Sequence, residues 1–550
     1  MPRFLTKTAL VLVSAVLLVL PFHFGALWLL AYFAFIPYFF ALNATSAGES
    51  FKLSTIFGVV FFGLLGYWLT FVSVLGFVLL SLYLALYFSM FGILIHRFLN
   101  PANKASADFQ PVNSFDRLDV KKNVQAALFV PAFWVALEYL RGWIISGLPW
   151  ALLAHSQWTN LPVIQIADLT GVYGVSYFVM AVNWLFFRLL QIFFSWKKSQ
   201  KESPEFVAHQ KRLLMGLSVL LTTICLGVVG YGLFSLRAWD RFYRNDFPKA
   251  GLRVSVIQGN IPQDQKWNTK IKNIIFEKYR RLTFMSGIER SDLIIWPETS
   301  FPGFLEDEPV LSAELRRVVR QARTEVLVGA PTLGNLEEGL RFYNSAVHYG
   351  PDGEEKKRYD KIHLVPFGEF VPFEGLFGII RNFVSIGHFS PGKTFTLFTT
   401  QTRYQKNNIQ ARFAVLICYE DIFPGLVRRF CSDGADFLVN MTNDAWFGDT
   451  TAPYQHAQAS VFRAVENRVP VVRATNTGFS CFVSPEGRIL ARVEDNGKEI
   501  FVTGHKGCDL ILRKTKTFYT RFGDVFVLAT FFLCFLAFRE KSRHDAYARL

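Results

Sequence analysis

Eight apolar blocks decide what this chain can fold into. They lie near 8–22, 24–42, 54–73, 76–96, 124–140, 172–195, 213–235 and 519–538. A helix needs roughly 20 apolar residues to cross the hydrocarbon core of a bilayer, so each block is of spanning length. The composition agrees, with 51% hydrophobic, 16% aromatic and only 18% charged residues in 550, which excludes an ordinary soluble globule. The fifth block is the least regular: it holds Glu138 and runs into Arg141, and charges inside a span are costly unless they pair or face a cavity. The first block, behind Arg3 and Lys7, has the look of a signal-peptide core, but the second block follows at once with no small-residue cleavage site between them.

The basic residues orient this set, because Lys and Arg accumulate in short cytoplasmic loops. Arg97, Lys104, Arg117, Lys121 and Lys122 separate blocks four and five in a polar loop around Asn100–Asp119. Lys197, Lys198, Lys201, Lys211 and Arg212 separate blocks six and seven, and Arg539, Lys541, Arg543 and Arg549 follow block eight. The connections after blocks one and three carry neither Lys nor Arg, and the long one after block five carries only Arg141. Both termini are therefore expected in the cytoplasm and the hydrophilic segment outside. The predicted organisation is a membrane domain over 1–244 with about seven helices, an extracytoplasmic domain over 245–510, and a final helix with a cytoplasmic tail over 511–550. The net charge of +15 sits largely in membrane-flanking loops, where it suits anionic lipid headgroups rather than nucleic acid.

Within 245–510, short β-rich runs alternate with helical ones: RVSVIQGN, an amphipathic stretch to about Gly287, DLIIWPE, ELRRVVRQAR, EVLVGAP and SAVHYG. FAVLICYE, GLVRRF, DFLVNMTN, QHAQASVFRAVENR, VVRATN and FSCFVSPEG continue the alternation, with a turn at Pro485–Gly487. Strands this apolar call for cover on both faces, hence an α/β layered sandwich, in which reactive groups collect at strand exits.

Two such exits carry chemistry. Cys418 closes the strand of RFAVLICYEDIFPG, and Glu298 closes DLIIWPET; Lys361 stands in RYDKIHLVPFGEF. A carboxylate base, a cation for an oxyanion and a thiol nucleophile suffice for acyl transfer through a thioester. Glu420 and Asp421 beside Cys418 would by themselves raise the thiol pKa, so the site needs a cation, for which Lys361 is the candidate. Glu369, eight positions after Lys361 on a loop, tunes the base or positions the lysine, or forms a plain salt bridge. His363, His388 and His456 are alternative bases for a Cys/His pair. Cys225 and Cys534 lie in spans, while Cys431, Cys481 and Cys508 leave disulfides with Cys418 open. No Cys or His spacing fits a zinc site, and no metal or cofactor is expected. Trp143, Trp150 and Trp158 suit an interfacial belt or simple anchoring. The charged run Glu354–Arg358 reads as a loop without a role.

Taken together, WPE, RYDKIHLVPFGEFVP and LICYE resemble the Glu-Lys-Cys arrangement of the nitrilase (carbon-nitrogen hydrolase) superfamily. VIQGNIPQDQKW (Val256–Trp267), NDAWFGD (Asn443–Asp449), ALEYLRGWIISGLPW (Ala136–Trp150) and GVYGVS (Gly171–Ser176) resemble one branch of it, the apolipoprotein N-acyltransferases, over almost the whole chain. The resemblance implies a polytopic α-helical membrane domain joined to a nitrilase-like αββα sandwich. It implies a cofactor-free, monomeric enzyme of the bacterial inner membrane, with its catalytic domain on the periplasmic side. Such an enzyme takes an acyl chain from a phospholipid donor, holds it as a thioester, and passes it to the amino group of a diacylglyceryl-cysteine apolipoprotein. By motif, Glu298 is the general base, Lys361 the oxyanion stabiliser and Cys418 the acylated nucleophile. Glu369, Tyr419 and Glu420 match supporting positions, and Trp267, Asn344 and Phe447 match substrate-pocket positions. A membrane-tethered amidase that discharges its thioester to water is the alternative, and a transporter or binding scaffold is disfavoured because ionisable residues within the blocks are sparse.

Overall fold

The computed structural model describes residues 2–99, 120–198, 203–246, 251–266, 268, 270–334, 340–371, 389–402, 409–512 and 515–547. The basic loop 100–119, Trp267 and His388 lie outside these residues. Two compact units are present: 1–70, 74–234 and 524–550 form one, and 71–73 with 235–523 form the other.

The first unit is helical. Among the described residues, seven segments are long and apolar enough to cross a membrane: Phe4–His23, Gly25–Leu42, Ala47–Leu65, Val74–His96, Asn123–Arg141, Val172–Lys198 and Pro204–Arg244. The eighth block yields a shorter apolar helix, Val525–Arg539; it starts later than 519 because Gly523, at φ +65°, and Asp524 separate it from the five-residue helix Phe518–Phe522. The second block is broken: a 3-10 helix, Gly25–Tyr32, gives way to an α-helix, Ile36–Leu42. Pro37 explains the restart, since proline is tolerated in a first helical turn but not in the middle of a helix. The third helix begins at Ala47, capped by the Ser46 hydroxyl on the Glu49 amide, and ends before Gly66, so its span lies earlier than 54–73. In the fifth helix Glu138 is buried, with Oε1 accepting from the Leu153 amide at 2.6 Å, and buried Arg141 donates to the Trp150 carbonyl at 3.0 Å. Both charges thus anchor the connection after their own helix.

Among the described residues, the second unit has twelve strands: β1 Gly251–Gln258, β2 Leu293–Ile295, β3 Glu325–Leu333, β4 Phe342–Tyr349, β5 Glu355–Asp360, β6 Leu397–Gln401, β7 Gln410–Ile417, β8 Phe437–Thr442, β9 Val471–Thr475, β10 Cys481–Val483, β11 Ile489–Arg492 and β12 Gly504–Ile511. One sheet runs β12-β1-β2-β3-β4-β5 and the other β11-β10-β9-β8-β7-β6. In each, three central strands are parallel (β1, β2, β3 and β7, β8, β9) and the flanking pairs antiparallel. The central strands are buried almost throughout, as expected for parallel strands covered on both faces. Helices Lys272–Ile288 and Pro309–Ala322 cover the first sheet through Phe276, Tyr279, Leu315 and Val318. Between the sheets, the His348 ring on β4 packs edge-on against Phe398 and Phe413 at 5.8 and 5.7 Å. The architecture is an αββα sandwich. The run Glu354–Arg358, expected to be a loop, belongs to the β4–β5 hairpin; Glu355, Lys356 and Lys357 are exposed at the start of an edge strand.

Candidate active site

Cys418 leaves buried β7 with φ +54°, a left-handed conformation that non-glycine residues avoid, and opens a 3-10 turn, Cys418–Ile422. The turn is held from beneath by Glu420, which is fully buried. Its Oε2 accepts from the Ile417 amide at 2.7 Å; its Oε1 accepts from the amides of Ile362 and His363 at 2.8 and 3.0 Å and from the Tyr359 hydroxyl at 2.8 Å. Burial pushes the Glu420 carboxyl up to about 7, against the pull of these donors. One side chain therefore fixes the nucleophile's turn to the end of β5, which delivers Lys361.

Glu298 sits three residues past β2. Trp296 anchors that exit by stacking on Tyr279 at 4.9 Å and donating to the Thr283 hydroxyl at 2.9 Å. The chain then turns through Thr299 at φ +44°. Backbone of β3 passes so close at Gly329 that a Cβ there would lie 2.1 Å from the Pro297 oxygen. Asn344 on β4 links three site groups: its carbonyl accepts from the Lys361 amide at 2.9 Å, and its Nδ2 donates to Glu298 at 2.8 Å and to Glu369 at 3.2 Å.

Lys361 is 1% exposed. Its ammonium lies 2.9 Å from Glu369 and 3.8 Å from Glu298. Burial works to lower its pKa, but Glu369 and then Glu298 overcome that, and it is held well above the ordinary lysine range. The Cys418 thiol is pushed up, first by burial and next by Glu298, with Lys361 pulling the other way. At rest the site thus holds a thiol, a cation and two carboxylates, and thiolate forms only when a base takes the proton.

The remaining sequence candidates divide. Tyr419 packs its ring against Phe423 at 4.9 Å and His363 at 5.8 Å. Phe447 is half-buried at the end of a 3-10 turn, Asp444–Phe447. His363 presents its amide to Glu420 and its ring to Phe423, centroids 3.9 Å apart. His456 has both ring nitrogens on carboxylates, Asp421 and Asp444, each at 3.0 Å, and Asp421 also accepts from Arg473 at 2.9 Å. Asp421 is thus neutralised behind the nucleophile. Cys418 is in no disulfide, so none of the bridges left open with it forms. Sequence reasoning passed over Lys266, whose buried ammonium reaches the Glu298 carbonyl at 3.1 Å; its place in QGNIPQDQKW, beside the matched Trp267, was the available signal.

A family model for carbon-nitrogen hydrolases matches residues 253–504, and one for the apolipoprotein N-acyltransferase N-terminal domain matches 14–185. Among similar proteins, an apolipoprotein N-acyltransferase of Geobacter metallireducens is 34% identical over 96% of this chain and 95% of its own. One from Haemophilus influenzae is 30% identical over 75% of this chain and 70% of its own, and one from Methylococcus capsulatus 36% over 67% and 66%. Of solved structures, an amidase from Nesterenkonia sp. is 18% identical with a TM-score of 0.36, covering 51% of this chain and 96% of that one.

Proposed function

The chain belongs to the apolipoprotein N-acyltransferase family and is an acyltransferase, and on that premise we propose that Cys418, Glu298 and Lys361 carry its reaction. The observation that bears the reading is the cluster itself: a buried ammonium between two carboxylates, acting on a strained cysteine at a strand exit.

Glu298 takes the Cys418 proton as the sulfur attacks an ester carbonyl of a phospholipid. The C–S bond forms, and the tetrahedral oxyanion is met by the Lys361 ammonium. Collapse breaks the C–O bond, and the lysophospholipid alkoxide leaves with the proton held by Glu298. The α-amino group of a diacylglyceryl-cysteine then attacks the thioester and gives its proton to Glu298; the C–N bond forms, the C–S bond breaks, and the thiolate is reprotonated. Glu369 holds Lys361, Asn344 aligns both carboxylates, Glu420 and Tyr419 support the nucleophile's turn, and Phe447 and Trp267 shape the pocket. A membrane setting follows from the substrates, since each buried methylene contributes about 0.8 kcal/mol to retention in lipid. The basic loops favour an inner-membrane protein with both termini cytoplasmic and the catalytic unit periplasmic.

Product analysis tests the reading. Purified protein given phospholipid alone should release about one lysophospholipid per active site and carry the acyl mass on the peptide containing Cys418. A diacylglyceryl-cysteine peptide should then restore turnover, and Cys418→Ala should do neither. Steady fatty-acid release with no amide product would instead identify a hydrolase.

A further inference from the structure

Lys266 is a second buried cation beside the nucleophile and base, and the reaction as written gives it no part. It lies on the loop leaving β1, is 6% exposed, and donates to the Glu298 main-chain oxygen at 3.1 Å and to the Thr299 hydroxyl. Among the described residues it forms no ion pair. A buried ammonium without a carboxylate partner is costly, and burial pulls Lys266 down to about 8 while Glu298 and Cys418 draw it the other way. Those two groups are the pair between which the proton moves.

The loop holding this cation is tied down on both sides. The Asn260 amide donates to the Asn476 carbonyl at 2.8 Å and the Ile261 amide to its Oδ1 at 2.9 Å, while Asn443 donates to Gln263 at 2.8 Å. Asn443 follows β8 and Asn476 follows β9, so the first sheet's loop is fastened to strand exits of the second. Thr299, which Lys266 grips, is the residue whose left-handed backbone turns the chain just past Glu298, and a strained residue persists only where its surroundings hold it. The charged groups facing Cys418 are then Glu298, Lys361, Asp444 and Lys266.

We propose that Lys266 is a positioning residue for acyl-enzyme formation: its ammonium holds the Glu298–Thr299 turn so that the base meets the thiol, and its charge offsets the anion that develops at Cys418. The proposal rests on the thioester reading above. Lys361 and Lys266 then divide the work, one meeting the oxyanion and the other fixing the base.

The test compares full-length wild type, Lys266→Met and Lys266→Arg in phospholipid–detergent micelles. The lysophospholipid burst reports acylation, and iodoacetamide labelling of Cys418 reports the thiol without any acyl chemistry. Lys266→Met should slow the burst about 10- to 100-fold, leave the phospholipid KM within about twofold, and slow labelling of Cys418. Lys266→Arg should recover the labelling rate and part of the burst, because it returns the charge with a different donor geometry. A wild-type burst rate in Lys266→Met, or a change confined to KM, overturns the proposal. If Lys266→Met does not fold, Thr299→Val decides. It keeps the cation and removes one anchor, so about a 3- to 10-fold slower burst is expected, and an unchanged burst overturns the role. A wild-type enzyme without a burst removes the thioester reading itself, whereas a normal wild-type burst with an unaffected Lys266→Met burst removes only Lys266.

Discussion

Replacing Glu369 by Gln removes the carboxylate that holds Lys361 away from Glu298. At an effective dielectric of about 20, opposite unit charges at the 2.9 Å Lys361–Glu369 separation attract by about 6 kcal/mol, and at the 3.8 Å Lys361–Glu298 separation by about 4 kcal/mol. Glu369 therefore wins the ammonium, and the Glu298 carboxylate stays available to the thiol. In Glu369→Gln the ammonium has one carboxylate left, and closing from 3.8 to 2.9 Å gains about 1.4 kcal/mol for the Lys361–Glu298 pair. That gain must be surrendered when Glu298 takes the proton, which alone slows acylation about tenfold. Moving the ammonium out of register with the oxyanion adds to this, toward a total of about 100- to 1000-fold. Stability should fall by less than the about 3–5 kcal/mol expected when a buried charge loses its partner, because Glu298 takes over the ammonium. The assay is the rate of the lysophospholipid burst with phospholipid as the only substrate, beside thermal unfolding of the same sample. A burst within about twofold of wild type, in folded protein, would refute the argument that Glu369 keeps the lysine off the base.

Gly329→Ala places a methyl where 2.1 Å separates it from the Pro297 oxygen and 2.8 Å from the Glu298 Cα; about 1–3 kcal/mol of stability and most of the burst should be lost, and normal kinetics would show that the turn carrying Glu298 tolerates displacement. Burial opposes protonation of His456, but Asp421 and Asp444 overcome it and raise the ring from the ordinary 6.5 to about 9. Its stabilisation is therefore fully present below about pH 6.5 and lost as pH rises through about 9, about 3 kcal/mol in all; denaturation of wild type and His456→Gln between pH 6 and 10 checks this, the difference between them shrinking toward high pH. A reporter fused after Leu236 should read as periplasmic and one after Arg539 as cytoplasmic; both on one side would mean an odd number of crossings between those points has been misassigned.

The sequence alone determined the membrane class and an α/β layered sandwich, since both follow from local patterns: apolar blocks of bilayer length, and short apolar strands alternating with amphipathic helices; the αββα order came with the family resemblance. It also pointed to Glu298, Lys361 and Cys418, because strand-exit motifs such as WPE and LICYE are contiguous. The break in the second block was half-written in Pro37, but a continuous apolar run hides where a helix stops. What needed the tertiary structure was every relation between distant segments. Asp421 reads as a neighbour of Cys418, yet it is turned to His456 and Arg473. Glu420 reads as a second acid beside the thiol, yet it binds the amides of residues some sixty positions away. Lys266 reads as one polar residue in a loop, and only the stitching of β1's exit to Asn443 and Asn476 brings its ammonium under Glu298. Burial and pairing set the charge of these groups, and both depend on which strands lie side by side, which residue spacing along the chain does not encode.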